Sequence, residues 1–291
     1  MTALTQITRP LRSAVLGTSP TARIPALLVG GFVLLAVIGP MLVPYDPTAT
    51  HVGDRLLAPG STTHAGHTAW LGTDALGRDM LAQLVHGART SLVVGTATAV
   101  VAGVFGVLCG LVAGYARGPV DAVVMRLIDI QLAFPGILLA IIISGVMGRS
   151  FLTVVVALAV TRWIAFARVV RGSTLSLRER EWVAAARVLG LPRRAVLLRH
   201  VLPFVAGPVL ALATLEFGLI VLSEAGLSFL GIGLPGSAVS WGQTIALGKE
   251  YLATAWWISA FPGIALALLV IGVGLLGDQL THRVGSARRT G

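Results

Sequence analysis

Charge is scarce in this chain. Asp, Glu, Lys and Arg make up 12% of its 291 residues, against about 25% in an ordinary soluble domain. So little polar surface excludes a protein that stays in water on its own, and the mean hydropathy is +0.87. Cysteine is scarcer still. The single Cys109 lies inside an apolar run and can make no intramolecular disulfide, so cysteine usage does not identify a redox compartment. Signatures of bond chemistry are missing too. There is no Gly-x-x-x-x-Gly-Lys-[Ser/Thr] loop to cradle phosphates, no Cys-x-x-Cys, no His-Glu-x-x-His and no paired carboxylates. An intramembrane protease or transferase finds little support, and no catalytic residue, metal or cofactor is expected in this chain.

Uncharged apolar sequence is abundant. Ile24–Val43, Thr90–Ala116 and Tyr251–Gly277 each contain no Asp, Glu, Lys or Arg. Each reaches the roughly 20 residues that cross hydrocarbon as a helix. A spanning backbone must satisfy its own hydrogen bonds, so helices are required. We expect an all-α integral membrane protein with six transmembrane helices, at about 24–43, 90–115, 122–147, 150–170, 204–232 and 254–278. The first run follows Arg9, Arg12 and Arg23, as in a signal peptide. It is about twice the length of a typical h-region and leads into Gly-Pro-Met-Leu-Val-Pro without a small-x-small cleavage site, so it reads as a retained helix.

The formal charge is +10. In a membrane chain this reports orientation rather than nucleic-acid binding, because Lys and Arg stay on the cytoplasmic side. With a cytoplasmic N-terminus, segment 1–23, loops 116–121 and 171–203 and the C-terminal 279–291, including the tail 282–291, lie inside and segment 44–89 lies outside. Sixteen of the 22 basic residues then fall inside or at inner helix ends. Arg55, Arg78, Arg89, Arg149 and Lys249 fall outside, and Arg162 sits within a span. Both termini of this multi-pass chain are thus expected in the cytoplasm, and its location in the plasma (inner) membrane. Trp256 and Trp257 open the last span, as an aromatic belt would. Gly106, Gly110 and Gly114 share one helix face, which suits close packing within the chain or against a partner subunit.

Between the fourth and fifth spans lies "AAARVLGLPRRAVLLRHVLP", residues 184–203. From Glu181, the residues Trp182, Ala185, Ala186 and Leu189 stand at i, i+3, i+4 and i+7, one apolar face of a short helix. Gly190 is a helix stop, and Pro192 suits the start of a second helix carrying Arg193, Arg194, Arg199 and His200. Helix, sharp turn, helix is the expected shape. Small residues at 184–186 leave a shallow surface that a partner's groove could approach. An interfacial helix with arginines at lipid phosphates is the alternative.

This stretch resembles the cytoplasmic coupling signature of ABC importer permeases: Glu-Ala-Ala, three residues, Gly, nine residues, Ile-x-Leu-Pro. Aligned on Gly190, Ala185 and Ala186 fall on the two alanines and Leu202-Pro203 on the final pair. Ala184 replaces the glutamate and His200 the isoleucine. Glu181 lies three residues too early to stand in for that acid. "LGTDALGRDMLAQLVHGARTSLVVG" at 71–95, "IDIQLAFPGILLAI" at 128–141 and "LSFLGIGLPGSAVSWG" at 227–242 are similar to the C-type subunit of dipeptide, oligopeptide and nickel permeases. The resemblance covers about 24–281. It implies a type I importer permease fold, with a five-helix core domain over 90–281. It further implies a second, B-type permease subunit, two ATP-binding domains holding ATP and Mg, and an external solute-binding protein. The solute class implied is di- or oligopeptides, or a similar-sized haem or nickel chelate. The implied ATPase contact is Glu181, Trp182, Ala184, Ala185, Ala186, Leu189, Gly190, Pro192 and Arg193. A self-sufficient secondary carrier is the competing function, but no internal repeat is visible.

Acids within spans are costly and are functional candidates. Asp129 lies near the inner end of its span, Glu224 near the outer end, and Glu216 deepest. Pairing, with Arg162 as an available cation, is one expectation, and contact with a passing solute along the translocation path is the other. In the external segment, Asp74, Gly77, Arg78 and Asp79 either lock the loop's own fold or touch the binding protein. His64 and His67 stand at i, i+3, but no third metal ligand is visible.

Overall fold

Each apolar run forms a helix in the computed structural model, which describes residues 20–43 and 45–287. In chain order these are α1 (Pro20–Leu42), α2 (Met80–Ala116), α3 (Gly118–Leu132), α4 (Gly136–Met147) and α5 (Phe151–Leu177). They continue as α6 (Glu181–Val188), α7 (Arg193–Phe229), α8 (Trp241–Gly248) and α9 (Trp257–Ala287). Among the described residues, α1, α2, α5, α7 and α9 are long and apolar enough to cross a membrane, and the bent pair α3 and α4 makes a sixth span if counted as one. Arg9, Arg12, Arg288 and Arg289 lie outside the described residues.

Several expected boundaries move. The second span begins at Met80 rather than near 90, because the Asp79 carboxylate accepts from the Ala82 backbone N–H at 2.8 Å and caps the helix there. Arg89 therefore sits within α2 rather than in an external loop. The third span is not one helix: α3 and α4 meet at 86°. Pro135 causes the break, since it has no N–H to continue the ladder and turns Phe134 away from helical geometry. Finally, α5 extends to Leu177 and α7 reaches back to Arg193. Within α7 the stretch Val196–Val201 is π-helical. It ends just before Pro203, whose ring would clash with a carbonyl in a regular α-turn.

The bundle is centred on α2 packed along α5. A Cβ on Gly106 would collide with the Trp163 carbonyl; on Gly110 it would stand 2.5 Å from the Ala167 carbonyl, and on Gly114 2.9 Å from that of Arg171. The glycine stripe is thus an internal helix contact. The short α8 was not expected from sequence. Ser240 caps it, and the buried Trp241 ring fills the space left by Gly87, its Nε1 donating to the Leu84 carbonyl at 2.9 Å. A two-stranded hairpin, β1 (Ser61–Thr62) with β2 (Thr68–Ala69), lies in the segment between α1 and α2.

Candidate functional site

The loop between α5 and α7 is built on its glycine. Gly190 has φ +79°. Its N–H donates to the Arg187 carbonyl at 2.9 Å, and the Leu191 N–H donates to the Ala186 carbonyl at 3.2 Å. These two bonds form a Schellman turn, with Leu191 packed near Ala186 in one apolar cluster. The chain reverses at once into α7, with Pro192 at its N-cap.

The inward face of α6 differs from the expected one. Val183 and Ala186 are buried against Leu111, Val170, Val196, Val201 and Val205. Ala186 therefore packs on the protein's own bundle and does not share an outward face with Ala185. Trp182 lies at the edge, its ring 4.9 Å from that of Phe204 and 6.4 Å from His200. Glu181, Ala184, Ala185, Pro192 and Arg193 are exposed. At the tip, Val188 is 88% and Leu189 79% exposed. Two adjacent large apolar side chains leading into the turn, with the exposed Arg193 and Arg194 just beyond it, make a compact apolar knob with a basic edge.

The loop's root is held by residues that sequence reasoning did not single out. Arg178 donates to the Tyr115 carbonyl at 2.6 Å, and the guanidinium groups of Arg178 and Arg187 lie 5.8 and 5.1 Å from the centre of the Tyr115 ring. Arg117 pairs with Glu179 at 2.7 Å. Arg171 makes a two-pronged pair with Asp121 at 2.5 and 2.7 Å. These contacts join the ends of α2, α3 and α5 nearest the loop to one another, and Arg187 on Tyr115 joins α6 to α2. No sequence signal marks Tyr115, because its partners lie more than sixty positions away.

In the segment before α2, Asp74 is buried and accepts four hydrogen bonds. Oδ1 takes the Leu76 and Arg78 backbone N–H groups at 2.8 and 2.9 Å; Oδ2 takes Arg78 Nε at 2.6 Å and Gln83 Nε2 at 2.9 Å. Gly77 has φ +76°, and a Cβ there would run into the His51 carbonyl oxygen. The four residues Asp74, Gly77, Arg78 and Asp79 thus close a turn and start a helix. Trp257 donates to the Thr73 carbonyl at 3.1 Å and is buried, whereas Trp256 is exposed. Trp257 is therefore a dock for this segment and not a belt residue. The two histidines point to separate partners: His64 to the Asp54 carboxylate at 2.5 Å, His67 to the Thr63 hydroxyl at 2.9 Å under the Tyr45 ring.

The intramembrane acids also separate. Asp129 is exposed near Arg168, 3.6 Å away. Glu224 is fully buried and accepts from Ser228 Oγ at 2.7 Å and Ser240 Oγ at 2.9 Å, tying α7 to the cap of α8. Glu216 stands 3.6 Å from Arg162, the pairing expected from sequence.

Comparison with known proteins fits this architecture. Residues 106–289 match the family described as "binding-protein-dependent transport system inner membrane component". The chain is 37% identical over 254 residues to the dipeptide transport system permease protein DppC of Alkalihalophilus pseudofirmus, a match spanning 87% of this chain and 82% of the relative. It is 33% identical over 261 residues to the oligopeptide transport system permease protein OppC of Bacillus subtilis, spanning 89% and 83%. Among solved structures, an inward-facing form of the MetNI methionine ABC transporter matches with a TM-score of 0.56 at 20% identity, covering 69% of this chain and 96% of that one. Nothing in these relatives supports a self-sufficient secondary carrier. The chain belongs to the family of inner-membrane components of binding-protein-dependent transport systems and is a permease subunit of an ABC importer.

Proposed function

We propose that this subunit carries di- and oligopeptides inward, as one of two unlike permeases in a type I importer. The partners are a B-type permease, two ATP-binding domains that hold ATP and Mg, and an external solute-binding protein. Loop 171–203 faces the cytoplasm, as do both termini. The apolar knob of Val188 and Leu189 seats in a groove of an ATP-binding domain, with Ala184, Ala185, Trp182 and Arg193 around it. The exposure of that knob carries the reading: two large apolar side chains held outward by a Schellman turn at the end of an anchored loop are suited to a socket. The arginines around them also suit lipid phosphates, but α6 turns Val183 and Ala186 toward protein, which a helix lying on lipid would not require.

The mechanism follows from the anchoring. Closure of the ATP-binding domains moves the knob, and the Arg178–Tyr115 and Arg171–Asp121 ties pass the movement to α2, α3 and α5. Coupling requires that each nucleotide state favour a different arrangement of the spans. The peptide assignment rests on the relatives named for dipeptide and oligopeptide transport. The test is reconstitution of the four-part complex in liposomes with its binding protein. ATP-dependent accumulation of short peptides is expected, with none from this chain alone. Gradient-driven flux through the isolated chain would overturn the reading.

A further inference from the structure

One charge pair deep in the spans is neither fully buried nor well bonded. Arg162 lies at the middle of α5, and Glu216 at the middle of α7. Arg162 Nη1 stands 3.6 Å from Glu216 Oε2, too far for a hydrogen bond, and that oxygen is buried with no hydrogen-bond partner among the described residues. The second guanidinium nitrogen donates to Ser223 Oγ at 2.7 Å. The Arg162 side chain is 26% exposed, and Ser223 is also partly exposed, so both open on one flank of the molecule.

A guanidinium at mid-span cannot face lipid tails without a large cost, so this flank faces protein or a water-filled path. A pair whose role was only to join α5 to α7 would sit closer, with the carboxylate hydrogen-bonded. Arg171–Asp121, in the same chain, shows that geometry. Arg162–Glu216 instead leaves donors on the arginine and an acceptor on the glutamate unspent, side by side.

We propose that Arg162 and Glu216 form a solute-binding step in the translocation path: Arg162 takes the carboxylate of a passing peptide and Glu216 its ammonium or an amide N–H. In the empty path the two side chains neutralise each other loosely. A solute carrying both charges can replace each partner without leaving a bare charge. This rests on the peptide-import reading above.

The test uses the whole importer in proteoliposomes, with its binding protein and an equimolar mixture of radiolabelled di-, tri- and tetra-alanine. The double variant Arg162→Met/Glu216→Met removes both charges and leaves neither unpaired, so a purely structural pair would be replaced at little loss. Uptake is expected to fall about tenfold or more, the loss of charge-assisted hydrogen bonds. ATP hydrolysis stimulated by loaded binding protein should fall less than uptake does, because the docking loop itself is unaltered. Arg162→Lys keeps the charge but not the planar fork and should fall between. Uptake by the double variant equal to the parent's would overturn the proposal. So would equal loss of uptake and stimulated hydrolysis in an assembled complex, which would mark the pair as structural. If the parent complex itself shows no uptake, the peptide reading fails, and this proposal with it.

Discussion

Replacing Asp74 with Ala removes one carboxylate and strands four donors. Arg78 Nε, the Arg78 and Leu76 backbone N–H groups and Gln83 Nε2 all converge on it. Removing one partner of a buried ion pair costs about 3–5 kcal/mol. The Arg78 side chain is 14% exposed and recovers some water, which argues for the lower part of that range. The orphaned N–H groups push the other way, at about 1 kcal/mol or more each, without simple additivity. A local penalty of about 3–4 kcal/mol corresponds to roughly two to three powers of ten in opening equilibrium. The turn is docked by Trp257 on Thr73 and does not carry the spans, so the effect should appear as local opening. Hydrogen exchange of the Leu76 and Arg78 amides in the purified complex is the assay, and a loss of protection by about that factor is expected. Transport should fall, while the ATPases, on the opposite face in the proposed orientation, stay bound. Asp74→Asn, which keeps an acceptor for the backbone N–H groups, should lose less. Unchanged exchange in Asp74→Ala would refute the reasoning, as would departure of the ATPases from the complex.

Three further outcomes follow from the same structure. Gly190→Val should damage ATPase coupling more than Gly190→Ala, because φ +79° is harder for a β-branched residue; equal effects in stimulated hydrolysis would count against the turn. The ring hydrogen bond of His64, and then its backbone N–H, hold the Asp54 carboxyl below its usual range. A depressed folded value stabilises above the unfolded value of about 3.9 and is lost as pH falls through the folded one. Protease sensitivity of segment 51–69 should therefore rise below about pH 4, and His64→Ala should flatten that dependence; a parent profile with no rise would contradict it. For orientation, cysteines at Ser61 and Ser286 in a Cys109→Ala background should label from opposite sides of sealed cells, and labelling of both from outside would remove the proposed topology.

The first, second and last spans were legible because long uncharged runs have one stable form in a bilayer; the fourth and fifth also fall near their expected places, whereas the expected 122–147 span is broken in two. Boundaries were less so. Asp79 was read as a loop residue, yet an Asp followed by Met-Leu-Ala-Gln is a helix-start signal and marks where α2 begins. Pro135 was likewise visible in sequence, but only the structure gives the 86° bend it produces. Gly190 was legible as a stop because its backbone requirement is local. The orientation of α6 was not. Trp182, Val183, Ala184, Ala185, Ala186, Val188 and Leu189 put apolar side chains nearly all round the helix, so periodicity could not choose between Ala186 outward and Ala186 inward. Tertiary contact with Leu111 and Val205 decided it. For the same reason Trp257 could be read as a belt residue until its partner, the Thr73 carbonyl, was known.

The proposed docking of the loop is tested most directly by Ala185→Asp. Ala185 is exposed on α6, beside the knob and away from the buried Val183 and Ala186, so the loop and the spans should fold unchanged. A carboxylate placed there would be desolvated without a partner on docking, which costs a few kcal/mol of association, about a hundredfold in affinity. Co-purification of the ATPase subunits with the tagged permease is the measurement, with stimulated ATP hydrolysis read on the same preparation. Loss of both, in a variant that still inserts in the membrane, is the expected result. Parental values for both would mean that this face of the loop meets lipid and not an ATPase.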